Sequence, residues 1–338
     1  FYWIATLWSA RASGPEAQSC RPTPSGPSHV VLRAAGAPAA MLLRAARSHG
    51  GVVRRLTSAA APPPRAALTY YSAWFCPFAH RATLALAHHG ESVPHKWVEA
   101  LGWEQGKASG AEDFDAAERK DWWYHWKHPD LLKCNAQGMV PTLEQGGKVV
   151  TESIHCIQFV DELAKQQGTT ATPLVSEDPW EAARQRLWAD RVNKIVTAEY
   201  YKVLVRPEAE RRDAFDRLVE GLRDFARNSR GNFFSGDSPG LVDFVLLPYA
   251  FRLYAIEHHR PGCKVPRDSE ADAKYHAWLA RCVALPQVAE TLPDKDRYIT
   301  HLAKYASGAA RSKVGNAVRR GAEAHDYDDE KDGEEKPQ

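Results

Sequence analysis

Over residues 68–167 short apolar runs alternate with helix-period segments, and from residue 179 only the helical period remains. Leu68-Thr69-Tyr70-Tyr71-Ser72 is a β-rich run of strand length. Residues 77–89 put Phe78, Ala82, Ala85 and Leu86 on one helical face, with Pro77 in the first turn and Gly90 as a stop. Residues 95–98 supply a second strand. After an insertion containing Gly and Glu, residues 116–133 read as a helix carrying Trp122, Trp123, Tyr124 and Trp126. Met139-Val140-Pro141-Thr142-Leu143 and Lys148-Val149-Val150 read as two strands about the Gly146-Gly147 turn. Ser153 then opens a helix through Ile154, Ile157, Phe159, Val160 and Leu163. The order βαβ then ββα predicts an α/β domain over 68–167. Residues 180–205, 208–228, 241–258 and 271–283 are long amphipathic stretches, so 179–305 is expected to be all-helical. Thr172-Pro173 through Asp178-Pro179 is the natural linker, because residues before proline are pushed out of the helical region.

The ends of the 338-residue chain have a different texture. Residues 1–67 are rich in Ala, Arg, Ser and Pro without periodicity, and are expected to be a disordered leader. Met41 is the first methionine, and residues 41–65 hold five arginines and no acid. That composition is expected of an organelle transit peptide, with Met41 as initiator and a mitochondrial or plastid destination; without targeting, the expectation is cytoplasmic. Residues 306–338 are expected to be a charged, disordered tail. A formal net charge of +2 gives no field that argues for nucleic acid. No run approaches the roughly 18 apolar residues of a membrane-spanning helix, so no stable membrane insertion is expected. The six cysteines at 20, 76, 134, 156, 263 and 282 form neither a dense disulfide framework nor a Cys/His set with zinc spacing, and no metal is expected.

Cys76, between a strand and a helix in Phe75-Cys76-Pro77-Phe78, is the candidate for chemistry. Free N–H groups and the helix dipole at a helix start favour thiolate over thiol, which is expected to lower its pKa. Pro77 has no N–H to orphan and presets the helical φ. His80 and Arg81 lie within the next turn and add positive potential unless they simply face solvent, the more ordinary place for Arg81. Position 79 is alanine, so no resolving thiol sits one turn along, and exchange through Cys76 must be completed by an external thiol.

Phe75-Cys76-Pro77-Phe78-Ala79, the run from Asn135 through Pro141 to Glu144, and Glu152-Ser153-Ile154-His155-Cys156 with Asp161-Glu162 resemble the omega class of glutathione transferases. The similarity continues through Ser176-Glu177-Asp178-Pro179 and Phe233-Phe234-Ser235-Gly236-Asp237 into Val242-Asp243-Phe244, and spans residues 68–305. Gly240 departs from it, standing where the family has a capping Ser, a modest loss. The resemblance implies a thioredoxin-like domain joined to an all-α domain, with glutathione as co-substrate and a homodimer as an option. It implies catalysis by Cys76 and glutathione contacts from Phe78, Lys127, Val140, Pro141, Glu152 and Ser153. Arg252 is expected at the acceptor pocket, whereas Trp188, Tyr200 and Tyr201 are expected to be helix packing. The activity implied is glutathione-dependent thiol transfer and dehydroascorbate reduction through a Cys76–glutathione disulfide, with small-molecule or protein disulfides as acceptors and weak conjugation. Two alternatives share these residues: a glutathionyl-hydroquinone reductase, and a non-enzymatic relative of the intracellular chloride-channel proteins.

Overall fold

The computed structural model describes residues 66–102 and 126–308, with residues 310, 312–324, 326–328 and 331 beyond them. Residues 1–65 of the leader, with the targeting segment, and the Trp122-Trp123-Tyr124 cluster lie outside the described residues.

Strand β1 (Leu68–Ser72) is buried at four of its five positions and sits inside a four-stranded sheet of order β2-β1-β5-β6. It pairs in parallel with β2 (His95–Glu99), Tyr70 beside Trp97, and antiparallel with β5 (Thr142–Gln145), Tyr70 beside Leu143. β6 (Lys148–Val150) closes the sheet antiparallel to β5 through the Gly146-Gly147 turn, whose two glycines have φ of 59° and 78°. β5 begins only at Thr142, because Pro141 has no N–H for the ladder; Met139, Val140 and Pro141 belong to the preceding loop, and the Val140–Pro141 peptide is cis. The crossover helix α1 (Pro77–His89) and α3 (Ser153–Gln166) pack against each other. Asp161 of α3 ties them by accepting from His89 Nε2 at 3.0 Å, and holds the linker by accepting from Leu174 N and Val175 N.

The expected helix over 116–133 is corrected within its described part. Leu101–Gly102 (β3) and Trp126–Lys127 (β4) form a two-stranded ribbon, and α2 covers only Pro129–Cys134. Pro129 cannot lie inside a helix but suits its first turn, where His128 Nδ1 accepts from Asp130 N.

The remainder is helical: α4 (Pro179–Val192), α5 (Ala198–Val205), α6 (Glu208–Asn228), α7 (Leu241–His259), α8 (Glu270–Ala284), α9 (Pro286–Ala289) and α10 (Lys295–Ala306). α4 and α5 are joined by a π turn, Asn193–Thr197, so the stretch 180–205 is not one regular helix. α7 is buried almost all round and runs through the middle of this part, against α1, α4 and α10. Its start at Gly240 has no capping side chain; Asp243 compensates by accepting from Gly240 N at 2.9 Å, Phe234 N at 3.0 Å and Trp278 Nε1 at 2.7 Å.

The expected disordered tail is also corrected within its described part. Lys313–Arg320 form α11, capped at its start by Ser312 Oγ on Gly315 N and closed by Gly321 at φ 101°. The segment is buried through Ala317, Val318 and Ala324, and Glu323 pairs with Lys202 of α5 at 2.8 Å. Charge alone suggested a solvated tail, whereas small apolar residues at helical spacing within it supply a face to bury.

Candidate active site

Cys76 caps α1. Its backbone is extended (φ −78°, ψ 116°), and Sγ accepts from Ala79 N at 3.5 Å, the cap position the strand-Cys-Pro pattern suggests. Sγ also lies 3.9 Å from Val140 O, so the thiol faces the loop that precedes β5. That loop is braced from within: Asn135 Nδ2 donates to Met139 O and to Thr142 Oγ1, and Thr142 Oγ1 donates to Met139 O.

A cleft runs along this junction. One part is lined by Cys76, Phe75, Phe78, Lys127, Met139 and Val140 from the α/β part, and by Tyr200, Tyr201, Tyr298 and His301 from the helices. The other part runs past Pro141 to Glu152 and Ser153. They share Phe78, Met139, Val140 and Val314, and each is narrow, with a cavity volume of about 70 Å³. The cleft therefore joins a thiol with an aromatic wall at one end to a helix start with an acidic residue at the other.

Glu152 is exposed and precedes α3 at φ 65°, a sparsely populated conformation for a non-glycine residue, and its side chain makes no capping bond. Ser153 is buried and its Oγ accepts from Arg81 Nη1 at 3.0 Å. Lys127 Nζ donates to the carbonyl of Gln137 at 3.2 Å and lines the thiol end of the cleft.

Arg81 is not on a solvent face: it is fully buried. Nε donates to Val245 O, Nη1 to Ser153 Oγ and Asn193 Oδ1, and Nη2 to Thr197 Oγ1, at 2.9–3.0 Å. The π turn makes this set by bringing Asn193 and Thr197 to one guanidinium. The group also stands over the Phe78 and Tyr249 rings at 5.3 and 5.0 Å. His80 is buried as well, its Nε2 2.9 Å from Thr291 Oγ1.

Arg252, expected at the pocket, is fully buried and does not line the cleft. It lies behind the wall, its guanidinium 4.9 Å from the centre of the Tyr298 ring, bonded to Pro248 O and to Nδ1 of His80 at 2.9 Å. Because arginine only donates, His80 Nδ1 accepts and its proton sits on Nε2, facing Thr291. Burial, with Arg252 beside it, holds His80 well below the usual imidazole pKa. Two guanidinium charges are thus buried near the thiol, and neither pairs with a carboxylate among the described residues.

The expected depression of the Cys76 pKa is corrected. Burial pushes the thiol up; the Ala79 and Phe78 N–H groups and then the charges of Arg252 and Arg81 pull it down without cancelling that rise. The helix start favours the thiolate locally, but the walls packed around the half-buried Cys76 leave it too little water to keep that advantage.

Tyr200 and Tyr201 are buried helix residues and also cleft walls, so the packing expectation captured half of their role; Trp188 packs on Phe234 with centroids 5.2 Å apart. Tyr298, His301, Leu302 and Tyr305 carried a readable signal, recurring at helical spacing on α10, yet only the tertiary arrangement turns that face toward Cys76. No helix among the described residues is long and apolar enough to cross a membrane.

Residues 75–163 match the family of glutathione S-transferase N-terminal domains, and residues 207–281 match the corresponding C-terminal domains. The chain is 31% identical over 175 residues to glutathione transferase GST 23 of Zea mays, covering 51% of this chain and 76% of that protein. It is 24% identical over 254 residues to a probable glutathione transferase omega-2 of Caenorhabditis briggsae, covering 72% and 88%. The crystal structure of glutathione transferase Omega 3C from Trametes versicolor superimposes with a TM-score of 0.57 at 25% identity, over 72% of this chain and 92% of that one.

Proposed function

The chain belongs to the glutathione S-transferase family, with a thioredoxin-like N-terminal part and a helical C-terminal part, and we propose that within it the protein is a glutathione-dependent thiol transferase acting through Cys76. The observation that carries the proposal is the single thiol capping α1 at one end of a cleft whose other end holds Glu152 and Ser153, with Ala79 where a resolving cysteine would stand. Glutathione would lie along the cleft. Its γ-glutamyl end meets Glu152 and the N–H groups at the start of α3, its cysteinyl backbone meets Val140, and its glycyl carboxylate meets Lys127.

In the reaction the Cys76 thiolate attacks the glutathionyl sulfur of a mixed disulfide. The Cys76–glutathione disulfide forms, and the acceptor leaves as its thiolate and takes a proton. A second glutathione thiolate then attacks the glutathionyl sulfur of that disulfide, which releases oxidised glutathione and returns the Cys76 thiolate. With dehydroascorbate the Cys76 thiolate adds to a carbonyl carbon. A first glutathione thiolate attacks the Cys76 sulfur, the carbon–sulfur bond breaks and ascorbate leaves as the Cys76–glutathione disulfide forms. A second glutathione thiolate releases oxidised glutathione, so two reduced glutathiones supply the two electrons. Arg81 and Arg252 favour the anionic sulfur from behind the wall. Conjugation to electrophiles is expected to be weak, because a thiol in the place of a hydroxyl bonds to the sulfur of glutathione instead of activating it.

Incubation with oxidised glutathione should give one glutathione adduct that maps to Cys76, and Cys76→Ala should abolish thiol transferase and dehydroascorbate reductase turnover. Full turnover in Cys76→Ala would refute the proposal. A second reading, glutathionyl-hydroquinone reduction, is favoured by the wall of Tyr200, Tyr201 and Tyr298, which suits a flat aromatic acceptor. Turnover of glutathionyl-menadiol exceeding that of dehydroascorbate would select it.

A further inference from the structure

His80 stands one turn after Cys76 on α1, buried where that helix packs against α7 and α9. Both of its ring nitrogens belong to a chain of hydrogen bonds whose direction is fixed at each end. At one end the Val288 carbonyl can only accept, and it takes the hydroxyl hydrogen of Thr291 at 2.8 Å. Thr291 Oγ1 is left to accept from His80 Nε2 at 2.9 Å. At the other end a guanidinium can only donate, so Nη1 of Arg252 gives a hydrogen to His80 Nδ1 at 2.9 Å. The neutral Nε2–H tautomer satisfies every member of the chain. A second proton, on Nδ1, would set N–H against N–H beside a positive charge.

The lack of charge on this acceptor matters for the thiol. Arg252 is fully buried, and no carboxylate pairs with it among the described residues. Its bond to Pro248 O stays within its own helix, so His80 is the bond that ties it to the helix Cys76 caps. The titratable side chains around its charge are Cys76 and His80 at the start of α1, Tyr200 on α5, Tyr249 and Tyr254 on α7, and Tyr298 on α10. Burial keeps the four phenols neutral. An acidic residue in place of His80 would hold the guanidinium too, but would cancel its field at the thiol. We infer that His80 is a positioning residue for the Cys76 thiolate: it fixes the Arg252 guanidinium to the helix that carries the thiol and, as an uncharged acceptor, leaves the positive field intact. This rests on Cys76 as the reacting thiol. Its readout needs no glutathione, so the inference can fail while the thiol transferase reading stands, and stand if that reading fails.

The test is the pH profile of Cys76 alkylation by iodoacetamide in the full chain, read on the Cys76 peptide by mass spectrometry. His80→Asn places an uncharged oxygen where Nδ1 stands and should keep the wild-type profile. His80→Asp has the same shape with a negative charge and should move the profile to higher pH by about one unit, the low end for a neighbouring charge. His80→Leu, which offers no acceptor, should move it in the same direction. In an Arg252→Met background the difference between His80→Asn and His80→Leu should vanish, because His80 acts through Arg252. Equal profiles for His80→Asn and His80→Leu with Arg252 present, a difference that survives without it, or a His80→Asp profile that matches His80→Asn would each overturn the inference. In the unaltered chain, whether or not the variants fold, nitrogen-15 NMR should find His80 protonated at Nε2 alone on both sides of about pH 6.5, the ordinary imidazole value. Titration of His80 near that value would overturn the tautomer and the inference with it.

Discussion

Arg81 gives the sharpest test of how this site is built. Arg81→Met keeps the length and apolar stem of the side chain and removes the guanidinium, which is fully buried and donates to one backbone and three side-chain oxygens. Replacing a buried charge by an apolar group recovers desolvation, so the loss of bonds does not convert directly into lost stability. What remains is the orphaning of Ser153 Oγ, Asn193 Oδ1 and Thr197 Oγ1. Ser153 and Thr197 are buried while Asn193 is half-buried and open to water, so at the low end for buried acceptors, about 1 kcal/mol each, the variant should be less stable by about 2 kcal/mol. With a urea dependence of about 3 kcal/mol per molar for a protein of this size, the unfolding midpoint falls by roughly 0.7 M. The second readout is the pH profile of Cys76 alkylation by iodoacetamide. Arg81 lowers the Cys76 pKa, so its removal should shift the profile to higher pH, and Arg81→Lys, which keeps the charge, should shift it less. An unchanged midpoint together with an unchanged profile would refute both the structural and the electrostatic role.

Two further predictions use the same reasoning. In the wild type burial raises the Cys76 pKa, so the alkylation rate should climb with pH and reach half its plateau above about 8.5, the ordinary thiol value; a plateau already reached at pH 7 would contradict that direction. Asp243→Ala removes the acceptor for three buried N–H donors, at Gly240, Phe234 and Trp278. It should cost about 3 kcal/mol or more in a urea melt.

Local chemistry was legible in the sequence. Pro77 at a first turn, Gly90 after the last turn and the apolar period between them define α1, and Cys76 is its cap because nothing beyond the neighbouring residues is needed for that. Likewise β1, β6 and α6 run over the residues their patterns predict, since each alternates or repeats against its own flanking turn signals. The order of these elements was enough for the fold class, and Ala79 was enough to exclude a partner thiol one turn along.

What the sequence could not decide is which polar residues lose their water. Periodicity assigns a residue to a face of its own element, and only another element decides whether that face is covered. Arg81 reads as a surface residue until the π turn and α7 close over it, and Arg252, which only the family resemblance placed at the pocket, lies behind Tyr298. The Cys76 pKa turns on the same point: the helix start is local and lowers it, while burial depends on walls brought from residues 200, 201 and 298 and raises it. The C-terminal segment is the extreme case, because charge density marks it as solvated, and its small apolar face acquires meaning only against α5 and the loop at Gln137.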